Sequence, residues 1–112
     1  MLSKLNRLKK KRDFEAVFKK GRSFKNNLLI IKLTANKLKE SRFGFIVSQK
    51  ISKKAVVRNK VRRRLSESVG KNLKLIKGGL DVVLISLAGI EKKEFFEVKE
   101  AVDNIFGKAK MI

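Results

Sequence analysis

Lys50-Ile-Ser-Lys-Lys-Ala-Val-Val-Arg-Asn-Lys-Val-Arg-Arg-Arg-Leu-Ser-Glu-Ser-Val69 is the stretch around which the rest of the chain is organised. Eight of the fifteen residues from Lys50 to Arg64 are Lys or Arg, and none is acidic. Val57, Val61, Leu65 and Val69 nevertheless recur every four residues, which predicts a helix with one narrow apolar stripe. The stripe lets the helix dock on a core. Lys60 and Arg62 then flank it, and Asn59 and Arg63 point away. Like charges at i and i+4, such as Arg58 and Arg62, or Lys60 and Arg64, repel on a folded helix. A solvated basic face is the plain alternative, but this density of charge calls for a polyanion.

The whole chain repeats that demand. It has 112 residues and a formal net charge of +20. The length fits one domain, 1–112, with residues 1–12 as a basic N-terminal arm. Self-repulsion at this charge density opposes folding, so a partner of opposite sign is expected. Nucleic acid is the first candidate and an anionic membrane surface the second. No run of apolar residues is long enough to span a bilayer. No apolar segment of the signal-peptide kind follows the basic start, so the expected location is cytoplasmic.

Outward from the basic helix, the remaining elements follow from periodicity. Asp13 serves as a helix N-cap or first-turn acid. Phe14, Val17 and Phe18 share a face, and Gly21 supplies a stop, giving a helix over roughly 12–20. The leucines at 2, 5 and 8 fit either an extended lead-in or a helical turn. Leu28 to Thr34 predicts a strand, and Arg42 to Ser48 a second one by alternation. With the polar connection 35–41 between them, an antiparallel hairpin is expected. Lys77-Gly78-Gly79 marks a turn, and Val82 to Leu87 a buried central or near-central strand. From Glu91, the apolar positions Val98, Ala101, Val102, Ile105, Phe106 and Ala109 predict the last helix. The order is helix, strand, strand, helix, strand, helix, with room for an extra short strand. The fold class is α+β, a single-domain sandwich of one sheet with helices packed on it.

The chemistry of most enzymes is missing. There is no cysteine and no histidine, which removes thiolate metal sites, the commonest general base and any Ser-His or Cys-His pairing. Glu91, Glu94, Glu97, Glu100 and Asp103 recur every three residues, but that interval winds around a helix and reads as a solvated face. No catalytic residue and no metal ligand is therefore assigned. Binding remains. Arginine suits bidentate phosphate contact and lysine a mobile point charge. Exposed phenylalanines would add stacking on unpaired bases. Core packing is the expectation for Phe43, Phe45, Phe95, Phe96 and Phe106, while Phe14 and Phe18 fit either role.

Two motifs carry a specific resemblance. The first is Gly44-Phe-Ile-Val-Ser-Gln-Lys50 followed by Lys54-Ala-Val-Val-Arg-Asn-Lys-Val-Arg-Arg63. The second is Arg12-Asp13-Phe14-x-x-Val17-Phe18-x-x-Gly21. Their separation and the length of the chain resemble the bacterial ribonuclease P protein subunit. The resemblance covers nearly the whole chain. It implies a fold like the second domain of ribosomal protein S5, with a left-handed β-α-β crossover where general rules favour the right-handed form. It also implies a catalytic RNA as partner. That RNA carries the hydrolysis with magnesium ions and removes the 5′ leader of precursor tRNA. The protein alone would be inactive and would hold no cofactor, and neither a membrane nor a small-molecule substrate is implied.

By the same resemblance, Ser48, Lys50, Lys53, Lys54, Arg58, Asn59, Lys60, Arg62 and Arg63 form the RNA-binding set. Phe14 and Phe18, with Lys32 on a strand, line a cleft for the single-stranded leader. Three positions depart from the family pattern. Ser66 stands where a last arginine is common, Gln49 replaces the first lysine of a Lys-Lys pair, and Lys32 lies near a position where an aromatic can line the cleft. A ribosome-associated RNA-binding protein without a processing role is the alternative reading.

Overall fold

The computed structural model describes residues 2–112. A 3-10 turn at Lys4–Asn6 leads into α1 (Lys11–Lys20), then β1 (Arg22–Lys25), β2 (Leu29–Ala35) and β3 (Arg42–Ile46). The long basic helix α2 (Ala55–Asn72) follows, then β4 (Leu80–Ser86), a 3-10 turn at Ile90–Lys92, and α3 (Phe95–Lys108). The order of elements matches the expectation, with β1 as the extra short strand. The last helix begins at Phe95 rather than Glu91, because Gly89 at φ 103° and the 3-10 turn intervene.

The four strands form one mixed sheet in the order β1-β2-β4-β3. β2 runs antiparallel to both β1 and β4, and β4 runs parallel to β3. The expected hairpin between β2 and β3 is therefore wrong: β4 lies between them. The 36–41 loop does not fold these two strands onto each other. It is stitched instead to the turn that enters β4. The Asn36 N–H donates to the Gly79 carbonyl at 2.9 Å, the Ser41 hydroxyl to the Lys77 carbonyl at 2.7 Å, and the Leu80 N–H to Ser41 Oγ at 3.1 Å. Gly78 permits this approach, since a Cβ there would sit 2.5 Å from the Lys39 carbonyl oxygen. β4 is the most apolar strand, and the central place buries both of its faces. β3 and β4 are thus parallel neighbours joined through α2, the crossover unit that the resemblance implies.

The two faces of the sheet are covered unequally. Ile31, Leu33, Val82, Leu84 and Phe43 point to one face and are buried against α2 and α3. From α2 this core takes Val61, Leu65 and Val69, the expected stripe, with Val57 only half-buried. α3 adds Val98, Val102, Ile105 and Phe106. α1 covers part of the opposite face, where Val17 packs with Leu8 and Val83. Beside it Ile30, Ile46 and Ile85 remain half-buried, so this face keeps an open trough.

Ion pairing fixes α1 on its face. Arg42 forks onto Asp81, its parallel register partner, with Nε–Oδ1 at 2.8 Å and Nη2–Oδ2 at 2.6 Å. Its other nitrogen, Nη1, reaches Asp13 in the first turn of α1 at 3.4 Å. Asn36 Nδ2 donates to the same Asp81 at 2.8 Å. The hydrogen bond to Asp81 strengthens the hold of Arg42 on its proton, against the opposing effect of burial. Asp13 is thus a first-turn acid, and Lys10 holds the N-cap position. Gly21 ends α1 with φ −75°, so left-handed backbone is not the reason for glycine. Close approach is: a Cβ would lie 2.4 Å from the Val17 carbonyl oxygen.

The arm is part of the fold. Leu2 and Leu8 are buried and Leu5 is exposed. Arg7 bridges in parallel to Phe43, and the Leu8 N–H donates to the Phe43 carbonyl at 2.9 Å. The arm therefore extends the sheet along the outer edge of β3. Two of the five acids in the row at the last helix are paired locally: Lys93 meets Glu97 at 3.8 Å, and Lys99 meets Asp103 at 2.8 Å. Among the described residues, no three His, Cys, Asp or Glu side chains gather into a metal site, and no helix is long and apolar enough to cross a membrane.

Candidate nucleic-acid interface

The loop from Val47 to Lys54 and the first turns of α2 form one exposed basic surface. Val47 and Ile51 anchor the loop in the core. Ser48 Oγ accepts from the Lys50 N–H at 3.3 Å, and Ser52 Oγ from the Lys54 N–H at 3.2 Å. Each is a serine turn that stands in for a backbone turn. Ser48 thus shapes the loop, while Lys50, Lys53 and Lys54 extend into solvent.

Arg58 and Arg62 are held, not loose. Arg58 Nη1 donates to the carbonyls of Ser52 and Lys53 at 3.0 and 2.9 Å, clamping the loop onto the helix. Arg62 Nη1 donates to Asn59 Oδ1 at 2.8 Å, and its Nη2 lies 3.5 Å from the Val47 carbonyl. Asn59 therefore sets the plane of the Arg62 guanidinium. Lys60 and Arg63 are exposed. Arg64 turns the other way and donates to the Lys93 carbonyl, tying α2 to the start of α3. No acid stands in the first turn of α2, so the positive end of the helix dipole adds to these charges.

The clamp makes a distinction that charge alone does not. Both bonds come from one nitrogen, Nη1, of a rigid planar guanidinium, and Arg58→Lys keeps the charge but puts a flexible ammonium stem in its place. RNA affinity is expected to fall about fivefold, roughly 1 kcal/mol of lost hydrogen bonding. Filter binding over a salt series checks this: the salt slope should stay constant while the affinity drops.

The cleft residues lie on the sheet face that carries α1. Lys32 Nζ sits 5.5 Å from the centroid of the Phe18 ring, and Phe18 is 40% exposed. These two form a platform with a cation on an aromatic face beside the trough. Phe14 is different. Its ring is half-buried and lies over Gly44, where a Cβ would approach within 2.4 Å of the ring. Phe43 and Phe106 are core residues, 6.2 Å apart. Phe96 is not, at 63% exposed, because it faces outward from the first turn of α3.

A second concavity lies where the arm, the β3 edge and α2 meet. It has a volume of about 260 Å³, and Phe14, Gly44 and Phe45 line it along with Arg62, Arg63 and Ser66. Arg7 and Lys9 of the arm complete its rim. Sequence reasoning placed Arg62 and Arg63 on the helix but missed this groove. The available signal was Gly44, since a glycine inside a strand often marks a close approach.

The chain matches the Ribonuclease P family model over residues 2–110. The chain belongs to the ribonuclease P protein family. It is 39% identical over 107 residues to a ribonuclease P protein component of Alkaliphilus metalliredigens, covering 96% of each chain. A ribonuclease P protein component of Clostridium kluyveri is 38% identical, with 92% of this chain and 93% of the relative covered. Among solved structures, an RNase P protein mutant of Staphylococcus aureus superposes with a TM-score of 0.91 at 27% identity, covering 97% of this chain and 92% of that one. The RNase P protein of Thermotoga maritima gives 0.83 at 31%, covering 92% and 96%. As a ribonuclease P protein, the chain is a component of an RNA-processing endonuclease, and the fold class read from its sequence stands.

Proposed function

We propose that this protein binds the catalytic RNA of ribonuclease P through α2 and its preceding loop. On the opposite sheet face it holds the single-stranded 5′ leader of precursor tRNA. The observation that carries this reading is the pair of pinned cations, Arg58 and Arg62, the latter oriented by Asn59, on a helix whose other side is core. Such a pair presents phosphate-binding groups without the entropic cost of ordering long side chains. Ser48, Lys50, Lys53, Lys54, Lys60 and Arg63 add contacts to phosphate, which give affinity and register rather than sequence choice. Membership of the family supports an RNA partner, and the absence of a histidine or cysteine base is compatible with chemistry carried by that RNA with its magnesium. The chain would act in the cytoplasm as one RNA-binding domain, its arm included.

In this reading the protein works by charge and position. Its excess of cations offsets repulsion between two RNAs, and the Phe18–Lys32 platform stacks and neutralises the leader. The test is cleavage of a 5′-extended precursor tRNA at low magnesium by the catalytic RNA alone, by the protein alone, and by both. Cleavage at the mature 5′ end only with both is the expected result. No enhancement over the RNA alone would reject the assignment in favour of a ribosome-associated role.

Phe18→Ala should weaken binding of leader-bearing precursor about tenfold, the worth of one stacked base. Mature tRNA should bind the holoenzyme unchanged. Equal loss for both substrates, measured by equilibrium competition, would remove Phe18 from the leader cleft.

A further inference from the structure

We infer that the groove between the N-terminal arm, the β3 edge and α2 takes a single unpaired base of a bound RNA, with the adjoining phosphate on Arg62 and Arg63. The inference rests on the RNA-binding reading above and adds a site to it. Three observations support it.

The first is the lining. Phe14 and Phe45 flank Gly44 in the lining with the buried Phe43 behind them, and the rim carries Arg7, Lys9, Arg62 and Arg63 with no acid. An aromatic floor under a cationic rim matches a nucleotide, whose base is flat and apolar-faced and whose phosphate is anionic. The second is size. At about 260 Å³ the groove is smaller than the roughly 300–1,000 Å³ of clefts that take drug-sized ligands. It suits one base and not a longer segment.

The third is the sheet edge. The Phe43 carbonyl accepts from Leu8 on the outer side of β3. Peptide groups alternate along a strand, so the N–H and C=O of Phe45 face the same outer side. The arm has by then turned away into α1, which starts at Lys11. A donor and an acceptor on a fixed backbone thus face the groove and can pair with a base edge. Phe45 is the candidate specificity residue, acting through its main chain. Ser66 keeps the space open: it is small and buried on α2. A long side chain at this position would cross the same space.

The probes are a pentauridylate, a pentaadenylate and a pentameric abasic strand with the same phosphates. Binding is followed by amide chemical shifts of the full-length protein in a Phe18→Ala background, which removes the leader platform. The base-bearing strands should bind roughly tenfold tighter than the abasic strand and shift the Gly44, Phe45 and Ser66 amides. Ser66→Phe fills the groove and should abolish that difference while leaving abasic binding unchanged, whereas Ser66→Ala should retain it. If Ser66→Phe fails to fold, the Phe45 amide of the parent protein decides.

Equal binding of base-bearing and abasic strands, or an unmoved Phe45 amide, would overturn the groove alone. Failure of every strand to bind would overturn the RNA reading and the groove with it. In the assembled enzyme, loss of affinity for the catalytic RNA in Ser66→Phe would assign the base to that RNA. Loss for leader-bearing precursor only would assign it to the leader.

Discussion

RNA affinity is expected to fall about 10³-fold between 50 and 200 mM monovalent salt, the drop for roughly six neutralised phosphates. The log–log slope should lie near −4 to −5, since each phosphate contributes about 0.7–0.9. The count follows from the exposed set on one surface: Lys50, Lys53, Lys54, Lys60 and Arg63, joined by the pinned Arg62. Arg63→Gln should reduce the slope by about one and weaken all RNA sequences alike. Titration of the catalytic RNA at four salt concentrations measures both. A slope near −1 would mean that most of these cations never meet a phosphate, and the α2 surface would lose its role.

Arg42→Met is expected to destabilise the fold by about 3–5 kcal/mol, the cost of leaving a buried ion-pair partner uncompensated. Asp81 is almost fully buried, its side chain 8% exposed, and Arg42 supplies both of its guanidinium contacts. Asn36 would remain as one neutral donor, too little for a carboxylate in that setting. Urea denaturation monitored by circular dichroism provides the value. A domain of this size has about 5–15 kcal/mol in total, so the variant should sit near its unfolding threshold at 37 °C. The effect also reaches function, because the same guanidinium ties Asp13, and with it α1, to the sheet. A loss below about 1 kcal/mol would show Arg42 to be a surface-type pair.

The local elements were legible in the sequence because each carries its own period. Val61, Leu65 and Val69 gave the buried stripe of α2, and Val98 to Phe106 that of α3. Strand pairing was not legible. A hairpin between β2 and β3 satisfies the same alternation as the observed sheet. What excludes it is the set of side-chain and backbone bonds between the 36–41 loop and the 77–80 turn. Those groups are more than thirty residues apart, and no local pattern announces them.

For the candidate site, the motif named the cations but not their division of labour. Arg58 and Arg62 differ from Lys60 and Arg63 only through bonds to the Ser52, Lys53 and Val47 carbonyls and to Asn59. Phe18 and Lys32 were both named from the resemblance, but their contact was not legible. Phe96 escaped because an aromatic at a helix start fits a core pattern as well as an exposed one.

β3 and β4 lie side by side, yet the chain between them is the whole of α2. The sheet therefore cannot close until its most self-repelling segment has been compacted. Loop closure and charge crowding fall on the same step, and parallel pairing already makes that step slow. A polyanion that settles on α2 would relieve this crowding as well as stabilise the folded end state. On the reading proposed above, the catalytic RNA is such a polyanion, and its binding would favour this step of folding.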